Sequence, residues 1–277
     1  MTRFSDPLRR TAAQSGTEAS RPVAAVVAVT LLHVVCLTVG FLVLIAIFDF
    51  PDILRVPAAQ RLAMFAQNEN IIVPTYWALA MTGLTQAALA VLLLLCAPRR
   101  DEPWLVMAAL FGVLCGAFQT IGFIRWPVVI PYLADMMADA RTPDAQAVVA
   151  LTEGIMNRFA GMAVGEHLGF VGMGLWTLFL GAAILRQPFV DRRLGWPGVG
   201  LGVLALAMAM EPLGGVFAAW GILTAGVFAV WTSWLVLMAD SLLRNGAGDA
   251  DRRALPAWIW ATAGLYAAAA GIQGYLA

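Results

Sequence analysis

Seven apolar runs, separated by polar turns and loops, constrain this chain more than any motif in it. They lie at about 22–48, 71–97, 104–124, 157–186, 196–213, 216–239 and 257–276. A helix needs about 20 apolar residues to cross the hydrocarbon of a bilayer, and lipid offers the backbone no hydrogen-bond partners, so each run must satisfy its own peptide groups as a helix. The expectation is an all-α polytopic membrane protein, with a cytoplasmic tail at 1–21 and one bundle of seven transmembrane helices at 22–277. With 61% hydrophobic and 12% charged residues, the chain lies outside the soluble range. The first run is too long for a signal-peptide core and lacks a convincing cleavage site, so it reads as an anchor.

Arginine placement predicts orientation, because cytoplasmic segments are enriched in positive charge. Twelve arginines fall in the tail, the second-to-third turn, the 186–193 loop and the 241–256 linker, against five on the other side. This predicts an N-terminus inside and a C-terminus outside. The tryptophans agree. Trp77, Trp126 and Trp220 fall near the outer boundary, and Trp104, Trp196, Trp234, Trp258 and Trp260 near the inner one.

Two outer loops carry helical patterns of their own. In 58–67, Leu62 and Phe65 are helically spaced, as in a helix lying at the interface and capping the bundle. Pro127 and Pro131 stop the third span, and 132–140 suits a short surface helix. Thr142-Pro143-Asp144 is a helix start, with Thr142 as N-cap, proline in the first turn and an acid at the positive dipole end. Val148, Leu151, Ile155 and Phe159 give that helix an apolar face. Unbroken from Pro143 to Arg186 it would be about 66 Å long, twice the hydrocarbon thickness, which predicts a kink near Gly161 or projection out of the membrane.

The fourth run is the expected centre of the bundle. Gly161, Gly165, Gly169 and Gly172 share one narrow sector, a groove into which a second helix can pack at backbone distance. Glu166 and His167 project beside that groove and should face a neighbouring helix or an internal cavity, since an ionised side chain at the bilayer centre costs about 2.5–3.5 kcal/mol or more. The predicted topology brings further polar residues level with them. Gln119 and Arg125 end the third span on the outer side, Arg158 opens the fourth, and Glu211 ends the fifth. Asn68, Glu69, Asn70, Thr75 and Tyr76 open the second there, and Gln273 lies in the outer turn of the seventh. This clustering favours an outward-facing polar pocket lined by Gln119, Arg125, Arg158, Glu166, His167 and Glu211. The plainer reading is that Arg125 or Arg158 pairs with Glu166 or Glu211 to tie helices together.

Composition narrows the chemistry. All 17 basic residues are arginine, so no lysine exists to form a retinal or pyridoxal phosphate Schiff base, or to serve a nucleotide-phosphate loop. His33 and His167 are the two histidines available as haem ligands. On the predicted helices they lie at different depths, which argues against bis-histidine haem. Cys36, Cys96 and Cys115 lack metal-ligand spacing, and Glu166, His167 and Glu211 form no diagnostic metal motif, so no metal site is expected. A net charge of zero and dispersed arginines give no case for nucleic acid.

A pocket of this kind would bind a small molecule or lipid head group, as in a sensor or accessory subunit, with membrane lipid as the surrounding partner. The alternative is an intramembrane lipid-modifying enzyme using His167 as general base with Glu166 or Glu211 orienting it. No serine nucleophile shares its side, so water would attack. A transporter is the third reading, without a visible inverted repeat, and a purely structural subunit with every polar group paired is the fourth. No motif encodes an oligomeric state.

At 122–134 (GFIRWPVVIPYLA), 157–170 (NRFAGMAVGEHLGF) and 174–181 (GLWTLFLG) the chain resembles a bacterial multi-pass membrane family known only as domain of unknown function 4386. The resemblance extends over about 50–211 and implies a helical inner-membrane protein. It brings no activity to Arg125, Arg158, Glu166 or His167.

Overall fold

The computed structural model describes residues 7–246, with side chains from Val23 to Asn245. The expected seventh span and Gln273 lie outside the described residues. Among the described residues, nine α-helices follow in order: α1 (Pro7–Phe48), α2 (Ala58–Gln67), α3 (Glu69–Cys96), α4 (Pro103–Val128), α5 (Ile130–Asp139), α6 (Pro143–Met156), α7 (Gly169–Arg186), α8 (Gly195–Met208) and α9 (Leu223–Gly246). Among the described residues, six helical stretches are long and apolar enough to cross a membrane, the first beginning at Val23 within α1. The protein is therefore an all-α, multi-pass integral membrane protein.

The spanning helices close into a ring. α1 packs on α3, α3 on α4, α4 on α7, α7 on α8, α8 on α9, and α9 returns to α1. One end of the ring carries the turns α3–α4 and α7–α8. The other, here the loop end, carries α2, α5 and α6, which pack on one another as a cap. Leu62 and Phe65 of α2 are buried as their spacing predicts. Thr142 caps α6 by accepting a hydrogen bond from the Ala145 amide at 3.2 Å.

α6 turns its apolar stripe outward. Val148, Leu151, Ile155 and Phe159 are all more than half exposed, whereas Val149, Glu153 and Asn157 are buried. The buried polar groups find partners inside: Glu153 on Arg61, and Asn157 on Arg125 and Leu54.

Around Gly161, where a kink or projection out of the membrane is expected, a π-helical stretch, Asn157–Leu168, joins α6 to α7. Its i→i+5 bonds give turns wider than 3.6 residues, so residues four apart align more closely than in an α-helix. The glycine strip accordingly runs straight down α4: Gly161 against the Arg125 guanidinium, Gly165 against Gly122, Gly169 beside Gln119 and Gly172 against Cys115.

Indole rings fill the middle of the ring. Trp176 of α7 meets Trp231 and Trp234 of α9 edge-on at centroid distances of 5.8 and 6.4 Å. The Trp231 indole donates to Thr177 Oγ1 at 2.9 Å. His33 of α1 sits edge-on to Trp231, its Nδ1 2.8 Å from Thr85 Oγ1. Above this layer, toward the loop end, the ring is not filled.

Candidate functional site

A cavity of about 240 Å³ occupies the loop-end half of the ring, walled by α1, α3, α4, the π-helical stretch, α7 and α9. Leu37 and Phe228 line its deep part, one turn or less from His33 and Trp231. Its side lies between α1 and α9, where Leu42, Ile45, Thr224 and Ala225 line it and keep part of their surface exposed.

Four of the six residues expected to line a pocket do so: Gln119, Arg125, Glu166 and Glu211. Glu166, the residue after Gly165 of the glycine strip, lines the cavity with it. Among the described residues Glu166 makes no hydrogen bond or ion pair of the kind that ties down Glu153. Gln119 is 7% exposed, and its Oε1 has no partner. The Tyr76 hydroxyl is likewise buried without a partner. Arg125 Nε, also in the cavity wall, is buried without a partner too, and each such group costs about 1–3 kcal/mol when left unsatisfied.

His167 and Arg158 stand elsewhere. The ring of His167 points to the end of α8, its Nδ1 2.7 Å from the Ala209 carbonyl oxygen, and Arg158 is exposed on the outer face of the π-helical stretch. Neither lines the cavity. Glu166 and His167 are neighbours in sequence, so they leave the helix about 100° apart or somewhat less; the cavity takes one and α8 the other.

The charge pairing also differs from the simple expectation of Arg125 or Arg158 bound to Glu166 or Glu211. Arg125 donates to the Gly122 carbonyl oxygen and, at 3.1 Å, to Asn157 Oδ1, and its guanidinium lies 5.2 Å from the Trp126 ring centre. Glu211 pairs instead with Arg55, at 2.5 Å, across the loop-end rim of the cavity. Arg55 ends a short 3₁₀ turn, Asp52–Arg55, in which the Leu54 carbonyl oxygen accepts from Asn157 Nδ2 at 3.3 Å.

A second pair, this one buried and not expected from the sequence, holds that loop in place. Arg61 donates through Nε and Nη2 to the two carboxylate oxygens of Glu153 at 2.8 and 2.5 Å, and through Nη1 to the carbonyls of Leu54 and Val56 at 2.9 Å each. The two side chains are 4% and 1% exposed. Such a fork matches guanidinium to carboxylate and fixes α2 to α6 above the cavity. Among the described residues, no three His, Cys, Asp or Glu side chains come together as a metal site requires.

The sequence also left unmarked the apolar wall: Phe41, Phe50, Phe123, Phe170 and Phe228 line the cavity with Tyr76 and Trp126. Aromatic residues inside apolar runs carry no sign of which will face one space. Residues 26–239 match the family described as Domain of unknown function (DUF4386). The chain belongs to this family. The match covers α3 to α8 entire, with the cavity wall and the Arg61–Glu153 and Arg55–Glu211 pairs inside it. No curated protein and no solved structure matches the chain.

Proposed function

We propose that this integral membrane protein binds a small molecule or lipid head group in the loop-end cavity, as a sensor or accessory subunit. The observation that carries the reading is an aromatic-lined space of about 240 Å³ with the side chains of Glu166, Gln119, Arg125 and Tyr76 in its wall. Small-molecule sites have this character, an apolar wall with a few convergent polar groups. Arginine placement sets the proposed orientation in a bacterial inner membrane, N-terminus inside and loop end outside, with α2 and α5 lying at the interface.

The enzyme reading requires His167 to meet a carboxylate beside an open cleft. The contact made by its Nδ1 is the Ala209 carbonyl, which favours binding over hydrolysis. The packed indoles beneath the cavity favour a closed floor over a transport path.

Mass spectrometry of molecules retained through purification in mild detergent tests the proposal. Wild-type protein should carry a bound species that Thr224→Trp, which fills the cavity from α9, does not. A wild-type preparation that retains nothing, or a species retained equally by the filled variant, would count against it.

A further inference from the structure

We infer, resting on the pocket reading above, that the cavity takes a single-chain amphiphile from the bilayer whose head carries no net charge and both donates and accepts hydrogen bonds, as an amide or a hydroxyl does. The charges in the wall select against an ionic head. Two arginines, Arg55 and Arg125, and two glutamates, Glu166 and Glu211, line the cavity. With all four ionised the wall carries no net charge. Arg55 and Glu211 pair across the rim, whereas Arg125 and Glu166 pair neither with each other nor with another charged side chain among the described residues. A cationic head drawn to Glu166 would therefore meet the Arg125 guanidinium as well, and an anionic head drawn to Arg125 would meet the carboxylate. Such repulsion is weakly screened away from water. An uncharged head adds no charge that the wall must balance.

The hydrogen-bonding groups in the wall are of both kinds. Arg125 Nε is a donor without a partner, Gln119 Oε1 an acceptor without one, and the Tyr76 hydroxyl can act as either. Among the described residues the Glu166 carboxylate and Gln119 Nε2 make no hydrogen bond either. A guest that only accepts leaves the carboxylate and Gln119 Oε1 unmet, and one that only donates leaves Arg125 Nε and Gln119 Nε2 unmet, so a fitting head does both. The chain follows from the rest of the wall. Phe41 meets Phe123 and Phe228 edge-on at 6.2 and 6.1 Å, and Phe170 meets Phe228 at 5.7 Å, so ring surface encloses the space beside the polar groups. Between α1 and α9, Leu42, Ile45, Thr224 and Ala225 line it and keep part of their surface exposed. Both helices lie there within stretches apolar enough to span a membrane. This side therefore faces hydrocarbon, and an alkyl chain can run out through it while the head stays between Arg125 and Glu166.

The test uses four probes of one chain length, decanamide, methyl decanoate, decylammonium and decyl sulfate, each added at the same mole fraction to lipid nanodiscs holding the full chain at neutral pH, with bound probe counted by native mass spectrometry. Decanamide should reach at least tenfold the occupancy of either ion, and several-fold that of methyl decanoate, which accepts hydrogen bonds without donating them. Glu166→Gln, which leaves the wall with an excess of positive charge, should move the preference toward decyl sulfate. Wild-type preference for either ion, equal occupancy by the ester, or an unchanged ranking in folded Glu166→Gln overturns the uncharged class and leaves the pocket reading standing. The wild-type ranking decides alone if that variant does not fold. If none of the four binds, the uncharged class fails, and the pocket reading survives only if wild-type protein retains another molecule that Thr224→Trp lacks.

Discussion

Gly165 and Gly122 meet backbone to backbone: a methyl built on Gly165 would stand 2.8 Å from the Gly122 Cα, and one built on Gly122 would stand 2.7 Å from the Gly165 Cα. Neither neighbour is a side chain that could turn aside, so a larger residue must push α4 and the π-helical stretch apart. Gly165→Val is expected to destabilise by about 1–3 kcal/mol or more, the cost of overpacking. Melting in detergent measures it. Gly200→Ala is the control, since nothing lies within 4 Å of the added methyl, and it should melt no lower than wild type.

The Arg61–Glu153 fork gives a larger effect. Removing Arg61 strands a carboxylate that is 1% exposed and frees the backbone carbonyls of Leu54 and Val56. Breaking a buried pair from one side costs about 3–5 kcal/mol, whereas replacing both partners by apolar residues of like volume is often neutral. Arg61→Ala should therefore lower the melting temperature sharply, and Arg61→Met with Glu153→Leu should recover most of the loss. A double variant as unstable as the single would show that the fork's value lies in its carbonyl contacts.

These two cases mark what could be read before the structure. The glycine strip was legible because helical periodicity fixes which residues share a sector, and the π-helical stretch changed the turn without moving the strip off α4. Glu166 beside the strip was legible for the same reason. Arg61 and Glu153 were not, because 92 residues separate them and each sits in a short helix whose docking no period encodes. His167 and Arg158 carried the right chemistry, but one residue of rotation along a helix decides between cavity and neighbour. Topology could set their level in the bundle and could not set their bearing.

At the cavity rim, Arg55 and Glu211 make an ion pair of a different kind. The Arg55 side chain is 54% exposed, so water screens the pair and its contribution to stability should be about 0–1 kcal/mol. Its place between the Asp52–Arg55 turn and the end of α8 makes it a tie across the rim instead. Arg55→Ala should leave melting nearly unchanged while a bound probe dissociates several-fold faster, and added salt should have a similar effect in the wild type. Stopped-flow dissociation checks this, and rates equal in wild type and variant would remove any role of the pair in retention.

Ring closure gives the last prediction its geometry. Asp139 ends α5 in the cap, and Arg100 lies in the turn between α3 and α4, so one spanning helix, α4, separates them; both are exposed. If the arginine count sets the orientation, the cap faces outward and the α3–α4 turn faces the cytoplasm. In a background with Cys36, Cys96 and Cys115 replaced by serine or alanine, Asp139→Cys should react with a membrane-impermeant maleimide in cells whose inner membrane is intact and exposed to reagent. Arg100→Cys should react only after that membrane is opened. The reverse pattern would invert the molecule, placing the cavity rim at the cytosol and its guest among cytosolic molecules; labelling of both sites from one side would break the ring topology itself.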